Sequence, residues 1–224
     1  MKESTENNFI LNREKMHNLA RKRVEEISRE FADGFEFLED YPKSVTFFGA
    51  SQFKEDNKYY ESARTLASRL VKELGYSIIS GGGPGIMEAA NRGACEAGGD
   101  SLGLLIRLPE EQPINKYITG SFSSYYFFVR KVLLSFSSEA FIFYPGGFGT
   151  LDEFFEIMTL IQTKKITNHI PFICVGSEYW NKLKEFMEHE MLTRGTITKE
   201  NLELFHIIDS HDEIIEMILK NSLK

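Results

Sequence analysis

FIFYPGGFGTLDE, residues 141–153, is the stretch that decides the fold. An apolar run stops at Pro145, then come Gly146, Gly147 and Gly149, and Thr150, Asp152 and Glu153 open a segment with helical apolar spacing. This is a buried strand feeding a glycine turn, and a turn feeding a helix N-terminus. Free backbone N–H groups and the positive end of the helix dipole make such a terminus a good seat for a phosphate. Proline and glycine account for the turn. They do not account for carboxylates just beyond a site suited to an anion, and that tension points to chemistry on a phosphorylated substrate.

Working outward, the same unit recurs. Residues 76–79 read as a strand running into SGGGPG (80–85), with a helix over 86–97. Residues 44–48 read as a strand ending at Gly49-Ala50-Ser51, and 57–74 as an amphipathic helix stopped by Gly75. Further strands are expected at 101–108, ended by Pro109, at 171–175 and at 204–208. Helices are expected at 125–136, from the glycine motif to about 163, at 179–191 and at 211–219. Residues 110–124 read as irregular. Strands alternating with helices predict an α/β fold, a mostly parallel sheet with helices on both faces. Ligands bind such sheets beyond the carboxyl ends of the strands, which is where all the glycine turns fall.

This domain spans 44–224, and 1–43 form an N-terminal helical extension. The extension is polar and disordered at its start, residues 1–12, and then one helix or a pair over 16–38. Its stripe of Phe31, Phe35 and Leu38, with Phe37 nearby, reads as core or subunit packing. With 224 residues, 42% of them hydrophobic, the chain has enough apolar material for a sizeable core. A net charge of −7 argues against a nucleic-acid partner. Cys95 and Cys174 read as buried free thiols rather than a disulfide. The polar start carries no apolar signal region and no run reaches transmembrane length, so a cytoplasmic protein without membrane contact is expected. The histidines lack metal-ligand spacing. His189-Glu190 would need a second histidine where Thr193 stands, and no metal site is expected.

The glycine loops fit no dinucleotide fingerprint, because Ile86 stands where G-x-G-x-x-G needs its last glycine. No Walker motif and no G-x-S-x-G elbow occurs. Two glycine turns opening helices on one rim still favour phosphate binding over purely structural turns. T-L-D-E (150–153) matches a capping box by itself, so Thr150 is a candidate cap and Glu153 is structural or catalytic. Arg130-Lys131, inside the apolar YYFFVRKVLLSF (125–136), either snorkels to solvent or reaches the same rim. Tyr125, Phe127 and Phe128 are candidates to stack on a purine, with core packing the default for each.

Together, GGGPGIMEAAN (81–91), Arg130-Lys131 and PGGFGTLDE (145–153) resemble the signature of the LOG family, whose members are often labelled lysine decarboxylases. The similarity runs from about 44 to 218. It implies a Rossmann-like fold and a nucleoside 5′-monophosphate hydrolase that cleaves the N-glycosidic bond to free base and ribose 5-phosphate. AMP or a cytokinin riboside monophosphate would be the substrate, with no cofactor and with a homodimer or higher homo-oligomer. By resemblance, Arg130 and Glu153 are catalytic. Gly82, Gly83, Gly85, Gly146, Gly147, Gly149, Thr150, Lys131 and Ser51 hold the phosphate and ribose. The Gly49-Ala50-Ser51 loop and the helical extension differ from plant-type members and resemble a longer bacterial branch. The bond cleaved transfers more readily than the cytokinin substrate. The alternative is a non-catalytic nucleotide or cofactor carrier of the same superfamily. The decarboxylase label finds no support, since a pyridoxal phosphate enzyme needs a Schiff-base lysine in a suitable context.

Overall fold

Strand β1 (Ser44–Phe48, SVTFF) is buried along its whole length. Alternation sends Val45 and Phe47 to one side and Thr46 and Phe48 to the other, so both faces of the sheet need cover. In the computed structural model, which describes residues 3–108, 113–167 and 169–222, that cover is complete. β1 lies between β2 (Ser77–Ser80) and β5 (Ser138–Phe143), parallel to both. With β3 (Ser101–Ile106), β4 (Gly120–Ser124), β6 (Phe172–Cys174) and β7 (His206–Ile207), the described residues form a seven-stranded sheet in the order β4-β3-β2-β1-β5-β6-β7. Every pairing is parallel. The chain steps outward from β1 to β4, then crosses back to lay β5 on the other side of β1. That reversal opens a crevice between the ends of β1 and β5, as expected of a Rossmann-like sheet.

Helices α2 (Lys58–Leu74), α3 (Ile86–Glu96) and α7 (His211–Ser222) cover one face, burying Leu66, Leu70, Ile78, Ile142 and Ile214 with Val45 and Phe47. α1 (Glu3–Glu39), α4 (Phe127–Phe136), α5 (Phe148–Gln162) and α6 (Ser177–Phe186) cover the other, around Phe48, Leu133, Phe143, Phe154 and Trp180. Local chemistry sets the boundaries of α2. The Asn57 side chain accepts the Tyr59 N–H at 2.8 Å, and Gly75 closes the helix at φ 69°. α2 and α3 then touch through Gly93, where a Cβ would stand 2.0 Å from the carbonyl oxygen of Arg64. Alanine is the better helix former by about 1 kcal/mol, but here it would force two backbones apart. Gly93→Ala is expected to destabilise the protein by roughly 1–3 kcal/mol, read as a lower urea midpoint at unchanged slope.

The structure departs from expectation in several places. α1 is one continuous helix from Glu3, not a pair and not a disordered start. Its phenylalanine stripe does pack within the chain, as one of the two readings had it: Phe31 and Phe35 stack at 5.8 Å, and Phe35 meets Phe136 at 4.5 Å. β4 was not legible, because GSFSS has a single apolar residue. It forms because β3 offers a free edge and α1 covers it, with Phe37 and Phe122 at 6.3 Å. β3 ends at Ile106, and the expected stop at Pro109 lies outside the described residues. Cys174 is buried, but Cys95 is exposed on the outer side of α3. No described helix is long and apolar enough to cross a membrane.

Candidate active site

Three strand ends converge on the β1–β5 crevice and are laced together by their backbones. Ala50 N–H donates to the Pro145 carbonyl and Ile86 N–H to the Ala50 carbonyl, each at 3.0 Å. Such contact requires glycine. At Gly85, with φ 72°, a Cβ would lie 2.2 Å from the Ala50 oxygen. The second loop is also held from behind. Asn115 Nδ2 donates to the carbonyls of Gly82 (3.2 Å) and Gly83 (3.1 Å) and to Asn91 Oδ1 (2.9 Å). Asn91 in turn reaches Ser80 and Ser101. The sequence reading missed both asparagines. Asn91 had a signal, as a polar residue on the buried side of α3; Asn115, in an irregular stretch, had none.

These loops frame a cleft of about 400 Å³. Of the expected site residues, Ser51, Arg130, Gly147, Gly149, Thr150 and Glu153 line it. Gly82 and Gly83 line a neighbouring cavity instead, which meets the cleft at Gly81. Gly85 serves the loop contact described above. Gly146 lies behind the turn, its carbonyl accepting the Tyr179 hydroxyl at 2.8 Å. Lys131 is not in the cleft lining. One position beyond Arg130, it turns about 100° around α4 to pair with Asp152 (2.8 Å) and Glu156 (2.7 Å) on α5. Burial alone would pull its ammonium pKa down, but these two carboxylates, with the nearby charge of Glu153, outweigh that and hold it above the ordinary value. Phe127, one of the three candidates to stack on a purine, lines the cleft, as does Phe148, which was not singled out. Phe127, Tyr125 and Phe128 are exposed, not core as expected, because α4 turns Val129, Leu133 and Leu134 inward.

The capping box does not form. The N-cap of α5 is Gly147, and Leu151 N–H already bonds the Gly147 carbonyl at 3.1 Å. Thr150 is therefore inside the first turn, buried against Gly146, where a Cβ would stand 2.1 Å from its Oγ1. The N–H groups of that first turn have no intrahelical acceptors and open on the cleft side. Glu153 is left without a capping role. Burial pushes its carboxyl up to about 7; Glu156 and Asp152 add to the rise, while Lys131 and Arg130 oppose it. Arg130 is the opposite charge in the same place. Burial pulls its guanidinium below the ordinary value and Glu153 partly opposes this, yet no ion pair within 4.0 Å joins the two among the described residues. Its Nε is buried without a hydrogen-bond partner. Its Nη2 lies where a Cβ on Gly81 would sit, 2.2 Å away. Among the described residues, the cleft therefore holds a carboxyl with a raised pKa, a guanidinium without an ion pair and a helix N-terminus, an arrangement suited to a negatively charged ligand.

Fold and site together define a Rossmann-like α/β protein with a cleft at the switch point of its sheet. The family model described as "Possible lysine decarboxylase" matches residues 87–218, more than half of the chain, and the chain belongs to that family, the LOG family. A cytokinin riboside 5′-monophosphate phosphoribohydrolase of Rhodococcoides fascians is 27% identical over 161 residues, 70% of this chain and 79% of that relative. The Arabidopsis thaliana enzyme of that activity named LOG5 is 27% identical over 183 residues, 80% and 77% of the two chains. Among solved structures, the molybdenum cofactor binding protein of Rippkaea orientalis shares the fold at 20% identity, with a TM-score of 0.56 over 81% of this chain and 96% of its own. The molybdenum cofactor carrier protein of Chlamydomonas reinhardtii does so at 18% identity, with a TM-score of 0.57 over 81% and 99%. The family's decarboxylase description does not fit the residues present. Pyridoxal phosphate would need a lysine facing the cleft; among the described residues none lines it, and Lys131 is engaged by two carboxylates.

Proposed function

We propose that this protein is a nucleoside 5′-monophosphate phosphoribohydrolase, taking AMP or a related purine nucleotide and water to free base and ribose 5-phosphate. The observation that carries the reading is Glu153, a carboxyl with a pKa near 7 and no capping bond, facing the same cleft as Arg130, which has no ion pair among the described residues. The first turn of α5 holds the 5′-phosphate, and that remote binding places the ribose C1′ near Glu153. As the C1′–N bond breaks, its electron pair leaves with the base and positive charge builds on the ribose. The ionised Glu153 stabilises that charge and accepts a proton from the attacking water. Arg130 holds the nucleotide and stabilises the departing base until it takes up a proton. Phe127 supplies an apolar wall for the base.

A panel of AMP, GMP, CMP, UMP and isopentenyl-adenosine monophosphate tests this, with free base and ribose 5-phosphate measured together. Equimolar release from at least one purine nucleotide is expected. No release from any of them sinks the hydrolase reading. The second reading, a nucleotide or cofactor carrier, draws on the fold shared with molybdenum cofactor carriers. It predicts saturable binding without base release, and it leaves a carboxylate beside the ribose without purpose.

A further inference from the structure

We propose that Glu30, on the N-terminal helix α1, is a positioning residue for Arg130. The inference rests on the functional reading above and goes beyond it by giving the N-terminal extension a part in the reaction. The two oxygens of the Glu30 carboxylate accept separate backbone N–H groups just ahead of α4: Oε1 that of Tyr125, and Oε2 that of Tyr126 at 3.2 Å. Tyr126 is the N-cap of α4 and supplies no side-chain cap; a carboxylate from another helix instead ties down the two N–H groups just ahead of the helix, at the positive end of its dipole. The next link is direct. The Tyr126 carbonyl accepts the N–H of Arg130 at 3.2 Å, so Glu30 is one helical turn from the guanidinium's own backbone.

The rest of the α1–α4 contact holds the register of that clamp. At Gly34 a Cβ would stand 2.4 Å from Leu133 Cδ1, so the helices approach as closely as a missing side chain allows. Phe31 meets Phe128 at 6.4 Å and Phe35 meets Phe136 at 4.5 Å, one pair toward each end of α4. Arg130 itself has no ion pair among the described residues to hold it, and its Nε is unpartnered. Its placement therefore depends on where α4 begins. A small shift of a catalytic group costs turnover more than ground-state affinity.

The test uses the full chain with Glu30→Ala, Glu30→Gln and, as a control, Glu25→Ala, whose side chain is exposed. For AMP hydrolysis, Glu30→Ala should lower kcat by about tenfold or more and raise KM by a smaller factor. Glu30→Gln keeps one acceptor oxygen and should fall between, and Glu25→Ala should match the wild type. In an Arg130→Lys background the loss from Glu30→Ala should shrink to about twofold or less, because the group being positioned has already been changed. Equal losses in both backgrounds, or a lower melting temperature with unchanged kcat, overturn the proposal. Hydrogen exchange at the Arg130 amide gives a readout independent of activity. It should quicken about tenfold in Glu30→Ala and not in Glu25→Ala, and unchanged exchange overturns the proposal. An inactive wild type with faster exchange would instead remove the hydrolase reading and leave the clamp standing.

Discussion

Glu153→Gln will lower base release from nucleoside monophosphates by about 10²–10⁴-fold and raise the melting temperature at pH 8. The two effects together separate catalysis from structure. Had Glu153 closed a capping box, its loss would cost about 1 kcal/mol of stability; but Gly147 is the cap, and no capping bond reaches Glu153. Its carboxyl sits at about 7 against an ordinary 4.5, with burial as the main cause. A raised pKa means that the folded chain keeps this proton where the unfolded chain has lost it. The associated stability is fully present below about 4.5 and is lost as pH rises through about 7. Ionised at pH 8, the group costs the fold up to about 3 kcal/mol, a cost that glutamine escapes. Melts at pH 5 and pH 8 should show the variant gaining only at the higher pH. Turnover by the wild type should rise with pH as the carboxyl ionises, half-maximal near 7. A variant that keeps its activity and melts lower at both pH values would refute the assignment.

Arg130→Ala is the second large effect. It should reduce turnover by about 10²–10³-fold without lowering stability, because the guanidinium is buried with an unpartnered Nε. The wild-type arginine also holds the Glu153 pKa down, so the pH midpoint of residual activity should move upward in the variant. Gly81→Ala gives an independent approach. The added Cβ would meet Nη2 at 2.2 Å, the far end of a flexible side chain, so the guanidinium swings away while the fold adjusts. Reduced turnover at near-normal melting temperature is expected. If both variants hydrolyse AMP at the wild-type rate, Arg130 has no part in the reaction.

Much of this protein was legible because its signals are local. Strand, glycine turn and helix are written within a dozen residues at 76–97 and 141–163, where apolar period and φ-permissive punctuation act over short range. Six of the seven strands of the parallel sheet followed from that alternation. β4 did not, since GSFSS has no intrinsic preference and becomes a strand only against the free edge of β3. Thr150 shows the limit more sharply. T-L-D-E reads as a capping box in one dimension, but the helix starts earlier because Gly147 and Pro145 set the geometry of the turn.

By itself, the sequence determined the α/β class, the family and the meeting of glycine loops with Arg130 and Glu153 at one end of the sheet. The tertiary structure alone decided what those residues are. Arg130 and Lys131 are neighbours with the same charge, yet among the described residues one has no ion pair in the cleft and the other is held by Asp152 and Glu156. Asp152 and Glu153 are neighbours too, but Asp152 pairs with Lys131 while Glu153 is buried and pushed to near neutrality. Burial and electrostatic fields sum over elements distant in the chain, here α4 and α5 beside a single crevice, and no short stretch of sequence carries that sum.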